Sequence, residues 1–165
     1  MARWSASKAN WTPSLVNDAS NFTDAGYMAL QGGAATQLLY VSEIYIGGLA
    51  TSQAPMSLCV AHDSTVGASS LSGGLLAALD PATANLSNQP TCFSASTTKP
   101  QRSSTLQLLQ LAMNAFGGIV RWTALEPGHR IGILGQSASV GELSISALNT
   151  GTAGPVSAHM LFEPL

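Results

Sequence analysis

From Gly26 onward the chain reads as short runs of alternating apolar and polar residues, closed by Gly, Pro, Asn and Ser. A period of two is the signature of strands that bury one face. Glu142–Ala147 shows it most clearly: Leu143, Ile145 and Ala147 point one way, to a core, and Glu142, Ser144 and Ser146 the other, to solvent or a partner. Met56–His62 alternates in the same manner, as does Ile119–Ala124, where Val120, Trp122 and Ala124 oppose Ile119, Arg121 and Thr123. In Val156–Phe162 the inward set is Val156, Ala158, Met160 and Phe162. Tyr27–Gln31, Thr36–Ile46 and Arg130–Leu134 are further strands, the first two closed by the glycine pairs 32–33 and 47–48. Those pairs, with 73–74 and 117–118, read as turns that need positive φ.

Two segments resist the pattern. Leu106–Met113 is built from Leu, Gln, Ala and Met, which are good helix formers, yet its apolar residues also fit a strand buried on both faces. The spacing of its neighbours favours the strand. Leu71–Gln89 holds a small apolar patch among Gly73-Gly74, Asp80-Pro81 and Asn88-Gln89-Pro90, and reads as an excursion with one helical turn. Ahead of the strands stands a Ser/Asn-rich leader without periodicity, which carries Arg3, Trp4, Lys8 and Trp11. Two tryptophans seek a surface to bury into, on this domain or on a neighbour. The division is therefore an extended N-terminal arm over residues 1–25 and one sandwich domain over 26–165. About eight antiparallel strands in two sheets is a jelly roll. An immunoglobulin-like sandwich has a similar count in a shorter chain, about 100 residues.

Composition turns this fold toward assembly. Charged residues are 8% of the 165, against roughly 25% in an average domain. Lys and Glu are depleted where surfaces are covered by partners, so the deficit favours an obligate assembly over a monomer. Net charge is −2, without the basic stripe a nucleic-acid partner requires. No apolar run approaches the ~20 residues that cross a bilayer, and the N-terminus lacks the apolar region of a secretory signal. Cys59 and Cys92 sit among apolar neighbours and read as two buried thiols. The sequons at Asn10, Asn21 and Asn85 read as chance matches without a secretion signal.

Catalytic motifs are scarce. Gly135–Ser139 departs from the nucleophile elbow at its last residue, and neither a Walker loop nor a dinucleotide fingerprint occurs. His62, His129 and His159 lack ligand spacing, so no metal or cofactor is expected. Carboxylates for glycoside hydrolysis would come from Glu43, Glu126, Glu142 and Glu163, but Glu43 and Glu142 suit pairing with Arg121 or Arg130 across a sheet or subunit boundary. A sugar-stacking platform of Trp4, Trp11 and Trp122 competes with burial of the same rings, which the small aromatic content favours.

The runs Val41–Gly48, Asn114–Trp122, Gly141–Ser146 and Pro155–His159 resemble small virion proteins of tailed bacteriophages. The low charge, the Ala/Gly/Ser/Thr richness and the leader ahead of a sandwich are similar to jelly-roll capsid decoration, or cement, proteins. The resemblance implies a non-enzymatic homotrimer at three-fold points on the outer capsid surface, made in the host cytoplasm. It would clamp the major capsid protein, bind neither nucleic acid nor membrane, and reach a neighbour with its arm. The residues this places at capsid or inter-subunit contacts are Arg3, Trp4, Lys8, Trp11, Arg121 and Glu142. Deleting residues 1–12 is then expected to spare the fold and weaken docking. The alternatives are a carbohydrate-binding sandwich, as in a receptor-binding spike or fibre head, and a small hydrolase on a β scaffold.

Overall fold

A computed structural model describes residues 3–18, 20–83, 88–135 and 140–165. In chain order the strands are β1 (Trp4–Trp11), β2 (Leu15–Val16), β3 (Met28–Gln31), β4 (Leu38–Gly48), β5 (Pro55–Thr65), β6 (Ala68–Gly73), β7 (Leu75–Ala78), β8 (Thr91–Thr98), β9 (Gln101–Asn114), β10 (Ile119–Thr123), β11 (Ile131–Leu134), β12 (Glu142–Gly151) and β13 (Val156–Pro164). The protein is an all-β sandwich, with two antiparallel sheets packed face to face. The ambiguous 106–113 segment is the second half of β9, and the excursion contains β7 and a 3-10 turn at Pro81–Thr83. Residues 84–87, with the Asn85 sequon, and residues 136–139 of the Gly135–Ser139 motif lie outside the described residues.

The first sheet runs β10-β4-β13-β1-β7, with β11 also on β4; the second runs β6-β8-β3-β12-β5-β9, with the short β2 parallel to β12. From its β9 end the second sheet reads β9-β5-β12-β3-β8, rank for rank with β10-β4-β13-β1-β7. Four links therefore join strands of equal rank across the sandwich: β4 to β5, β7 to β8, β9 to β10 and β12 to β13. As in a jelly roll, the last two strands insert beside the first long pair, β13 against β4 and β12 against β5.

Inward alternation builds the main core. Leu143, Ile145 and Ala147 of β12 meet Ile44 and Ile46 of β4 and Val156, Met160 and Phe162 of β13, all nearly inaccessible. Each of these side chains larger than alanine stabilises the fold by roughly 1.5–3 kcal/mol relative to exposure. Both cysteines are free and buried. Among the glycine pairs, Gly73 (φ 122°) and Gly117 (φ 71°) do need positive φ. Gly48 instead closes β4, where a Cβ would stand 2.3 Å from the Ala115 carbonyl oxygen, so close backbone approach sets that position.

Two expectations change. The leader is extended, but its extension is strand β1, hydrogen-bonded between β13 and β7. Trp4 and Trp11 are buried in this chain's own core. They share a face despite opposite parity because the register shifts between Lys8 and Trp11, where Asn10 takes φ 47°. The polar face of β12 is also not a surface: Glu142, Ser144 and Ser146 are all buried. After β2 has joined the second sheet beside β12, the passage on to β3 crosses the outside of that sheet as a third layer, with Phe22 N–H donating to the Pro100 carbonyl and Ala25 N–H to the Ser94 carbonyl. Met28 and Leu30 of β3 join the main core, while Ala29 between them packs in a separate cluster with Phe22, Tyr27 and Phe93.

Candidate functional site

The register of the first sheet sets two rows of side chains across its outer face. Arg121, Tyr45, His159, Ser7 and Leu75 stand side by side on β10, β4, β13, β1 and β7. The next row is Thr123, Glu43, Leu161, Ser5 and Ala77. Small residues at the centre, Ser7, Gly47 and Ser157, and large ones at the edges leave a trough of about 410 Å³. Its walls are Ile119 of β10, 65% exposed, and Leu75 of β7, 74% exposed. Leu49, in the same trough, is also exposed.

The polar groups of this face neutralise one another. Arg121 donates to Glu43 at 2.8 Å, and the other Glu43 oxygen lies 3.8 Å from His159 Nε2. The His159 ring stacks on Tyr45 with centroids 5.3 Å apart and planes 10° from parallel. The rest of the molecule follows suit. Glu163 accepts from Arg3 at 3.2 Å and Arg130 at 2.6 Å, while Lys99 pairs with Asp24 and Arg102 with Asp18. Lys8 is the sixth basic residue; its Nζ turns inward to Ser94 Oγ at 2.7 Å, and burial lowers its pKa. Every Lys and Arg thus finds its partner within the chain.

The six residues singled out by sequence do not converge on one site. Arg121 belongs to the outer face, as does Glu43, its expected partner. Arg3 closes a separate cluster with Glu163 and Arg130, whose guanidinium lies over the Tyr40 ring. Trp4 and Trp11 are core, and Trp122 is half-buried against it, so the three rings form no exposed strip. Glu142 is fully buried and meets Asp63 rather than an arginine, which removes it from any contact surface.

That carboxyl pair, and the arginine near it, escaped the sequence reading. Glu142 Oε2 accepts from the Gly67 amide at 2.7 Å, and Asp63 Oδ1 from Ser144 Oγ at 2.7 Å. The remaining oxygens, Asp63 Oδ2 and Glu142 Oε1, have no donor. One proton held between the two carboxyls satisfies both. Burial pushes Asp63 up to about 7 and Glu142 well above the carboxylate range, the latter also by the charge of Asp63. Both lie beneath the third layer, withheld from substrate. Arg102, 1% exposed, staples that layer down: it donates to Asp18 at 2.8 Å, Val16 O at 2.8 Å, Ser146 Oγ at 2.7 Å and Ala147 O at 3.2 Å. The sequence signal available for it was an arginine opening a long uncharged run.

The chain matches no family model, no curated protein and no solved structure.

Proposed function

We propose that this protein is a structural assembly component, a capsid decoration protein of a tailed bacteriophage, which seats the outer face of its first sheet on the major capsid protein. The observation that carries the reading is that face: exposed aliphatic walls at Leu75 and Ile119 flank a floor of small residues, and its few charges are already paired. A surface without unpaired ionic groups loses little when water leaves it. Repeated by symmetry over a shell, modest contacts sum to firm attachment. In the arrangement implied by the resemblance, trimers occupy three-fold points and tie neighbouring capsid subunits together. The tryptophans attach the leader to its own domain, so the clamp acts through the sheet face rather than through a mobile arm.

The test is co-sedimentation with shells assembled from the major capsid protein encoded in the same genome. Wild type should pellet with the shells. Ile119→Glu and Leu75→Glu should reduce bound protein at least tenfold, while thermal stability shifts by no more than about 0.5 kcal/mol, as for ordinary surface changes. Wild-type protein that stays in the supernatant would refute the capsid reading. Binding of glycans rather than shells, lost in the same variants, would favour the carbohydrate-binding sandwich.

A further inference from the structure

Strand β9 ends the second sheet, and among the described residues no strand lies on its far side. From Ser103 to Val120 the sequence contains no charged residue and no proline. Natural edge strands are usually blunted by lysine, proline, a bulge or brevity, because their free N–H and C=O groups template another chain. In β9 the irregularities fall early, and from Leu109 to Asn114 the strand pairs one-for-one with β5. This half is therefore a regular, uncharged edge.

The core is also open beside it. A cavity of about 660 Å³ lies between the edges of the two sheets, lined by Leu108, Leu109, Trp122, Leu125 and Ile131 among others. Leu125, at 87%, is the most exposed large apolar side chain described, and Leu109, Leu111 and Trp122 are only half-buried. An added strand that brings apolar residues to the inner face would close the opening.

We propose that the occupant is β9 of a second copy, paired antiparallel across a two-fold axis at Gln110. In a two-fold antiparallel pair, opposed residues share a face, so the axis must fall on a residue. With the axis on Gln110, Leu109 opposes Leu111 on the inner face, and Leu108 opposes Ala112 on the outer face. Shifting it to Leu109 or Leu108 sets leucines against glutamines on both faces. The paired β9 strands bring no charge to the seam, and Arg121, which also lines the opening, is already neutralised by Glu43. The strand Leu106–Asn114 spans about 30 Å, and the edges of both sheets together are roughly 20 Å deep. That is about 600 Å² per copy, or 1,200 Å² in total, the lower end for a specific interface. The inference rests on the assembly reading and identifies one partner, a second copy; two-fold axes lie between the three-fold points of an icosahedral shell, so this seam would join neighbouring trimers.

The test is a disulfide at the axis. Opposed Cα atoms in such a pair lie about 4.5–5.5 Å apart, within disulfide reach. Cys59 stands directly across from Gln110 within the chain, so the background is Cys59→Ala. Under mild oxidation Gln110→Cys should cross-link two chains almost completely. Ser104→Cys, exposed on the same strand, should not, since its two copies would lie about 40 Å apart. Gln110→Lys, at an exposed position, should fold normally and lower the wild-type particle mass at micromolar concentration. Absence of the cross-link in Gln110→Cys, equal cross-linking in Ser104→Cys, or an unchanged mass for Gln110→Lys would each overturn the seam. Shell binding is scored separately: a Gln110→Cys protein that cross-links, beside a wild type that ignores capsids, would sink the decoration reading and leave the seam standing.

Discussion

The Asp63–Glu142 pair gives the molecule a pH dependence with a defined sign. Asp63 on β5 and Glu142 on β12 face each other, with Ser144 and the Gly67 amide as donors, Arg102 on β9 nearby, and His62 bonded through Nδ1 to the Glu142 carbonyl. The folded chain keeps one proton that the unfolded chain releases near pH 4. That contribution to stability is fully present below pH 4, shrinks as pH rises, and is lost as pH passes the raised folded values of the pair, Asp63's being about 7 and Glu142 lying well above the ordinary carboxylate value. Denaturant melts between pH 4 and 8 should show stability falling through that window, with a slope approaching about 1.4 kcal/mol per pH unit. Asp63→Asn, which donates the bond the shared proton supplies, should flatten the slope. An equally steep slope in the variant would mean that other groups set it. None of this was legible in the sequence, where alternation placed Glu142 outward; only the third layer, folded across β12 from far upstream, turns that face into an interior.

At the level of elements, alternation located strands wherever one face is continuously apolar, whether or not the other face is covered. β5, β10, β12 and β13 lie within a few residues of their expected positions, and the inner face of β12 is as read. Strand β8 escaped because Thr91–Thr98 is mostly Ser, Thr and Ala, small residues with no apolar stripe, and its burial comes from neighbours on both sides. Strand β1 escaped because a register shift after Lys8 breaks the period of two, and a period is what the eye follows. The consequence is testable. Deleting residues 1–12 removes a strand from between β13 and β7 and uncovers the core that Trp4 and Trp11 fill. Near-UV circular dichroism should show tertiary packing lost, because truncating even one buried tryptophan costs about 3–5 kcal/mol. A truncated chain with a native spectrum and a cooperative melt would show the leader to be dispensable, as the sequence alone suggested.

For the whole molecule, scarcity of charge was the observation that composition made visible, and the fold gives it a location. Each Lys and Arg is committed to a partner inside the chain, and exposed aliphatic side chains line both the outer trough of the first sheet and the open edge beside β9, with Leu79, Leu134 and Leu165 exposed elsewhere. Sequence could count the charges but not their pairing, since Arg3 and Glu163 lie at opposite ends of the chain. It could not separate face from edge either, because strand order depends on contacts distant along the chain. The two sites differ in chemistry: a shallow trough suits a foreign surface, and a bare backbone edge suits a strand of the same kind.

The most direct measurement is the mass of the purified intact chain by light scattering between about 1 and 100 µM, with 1 µM affinity corresponding to roughly 8 kcal/mol. Self-assembly predicts particles of mass a whole multiple of 16.9 kDa, persisting over most of that range. A single 16.9 kDa species at every concentration would contradict it.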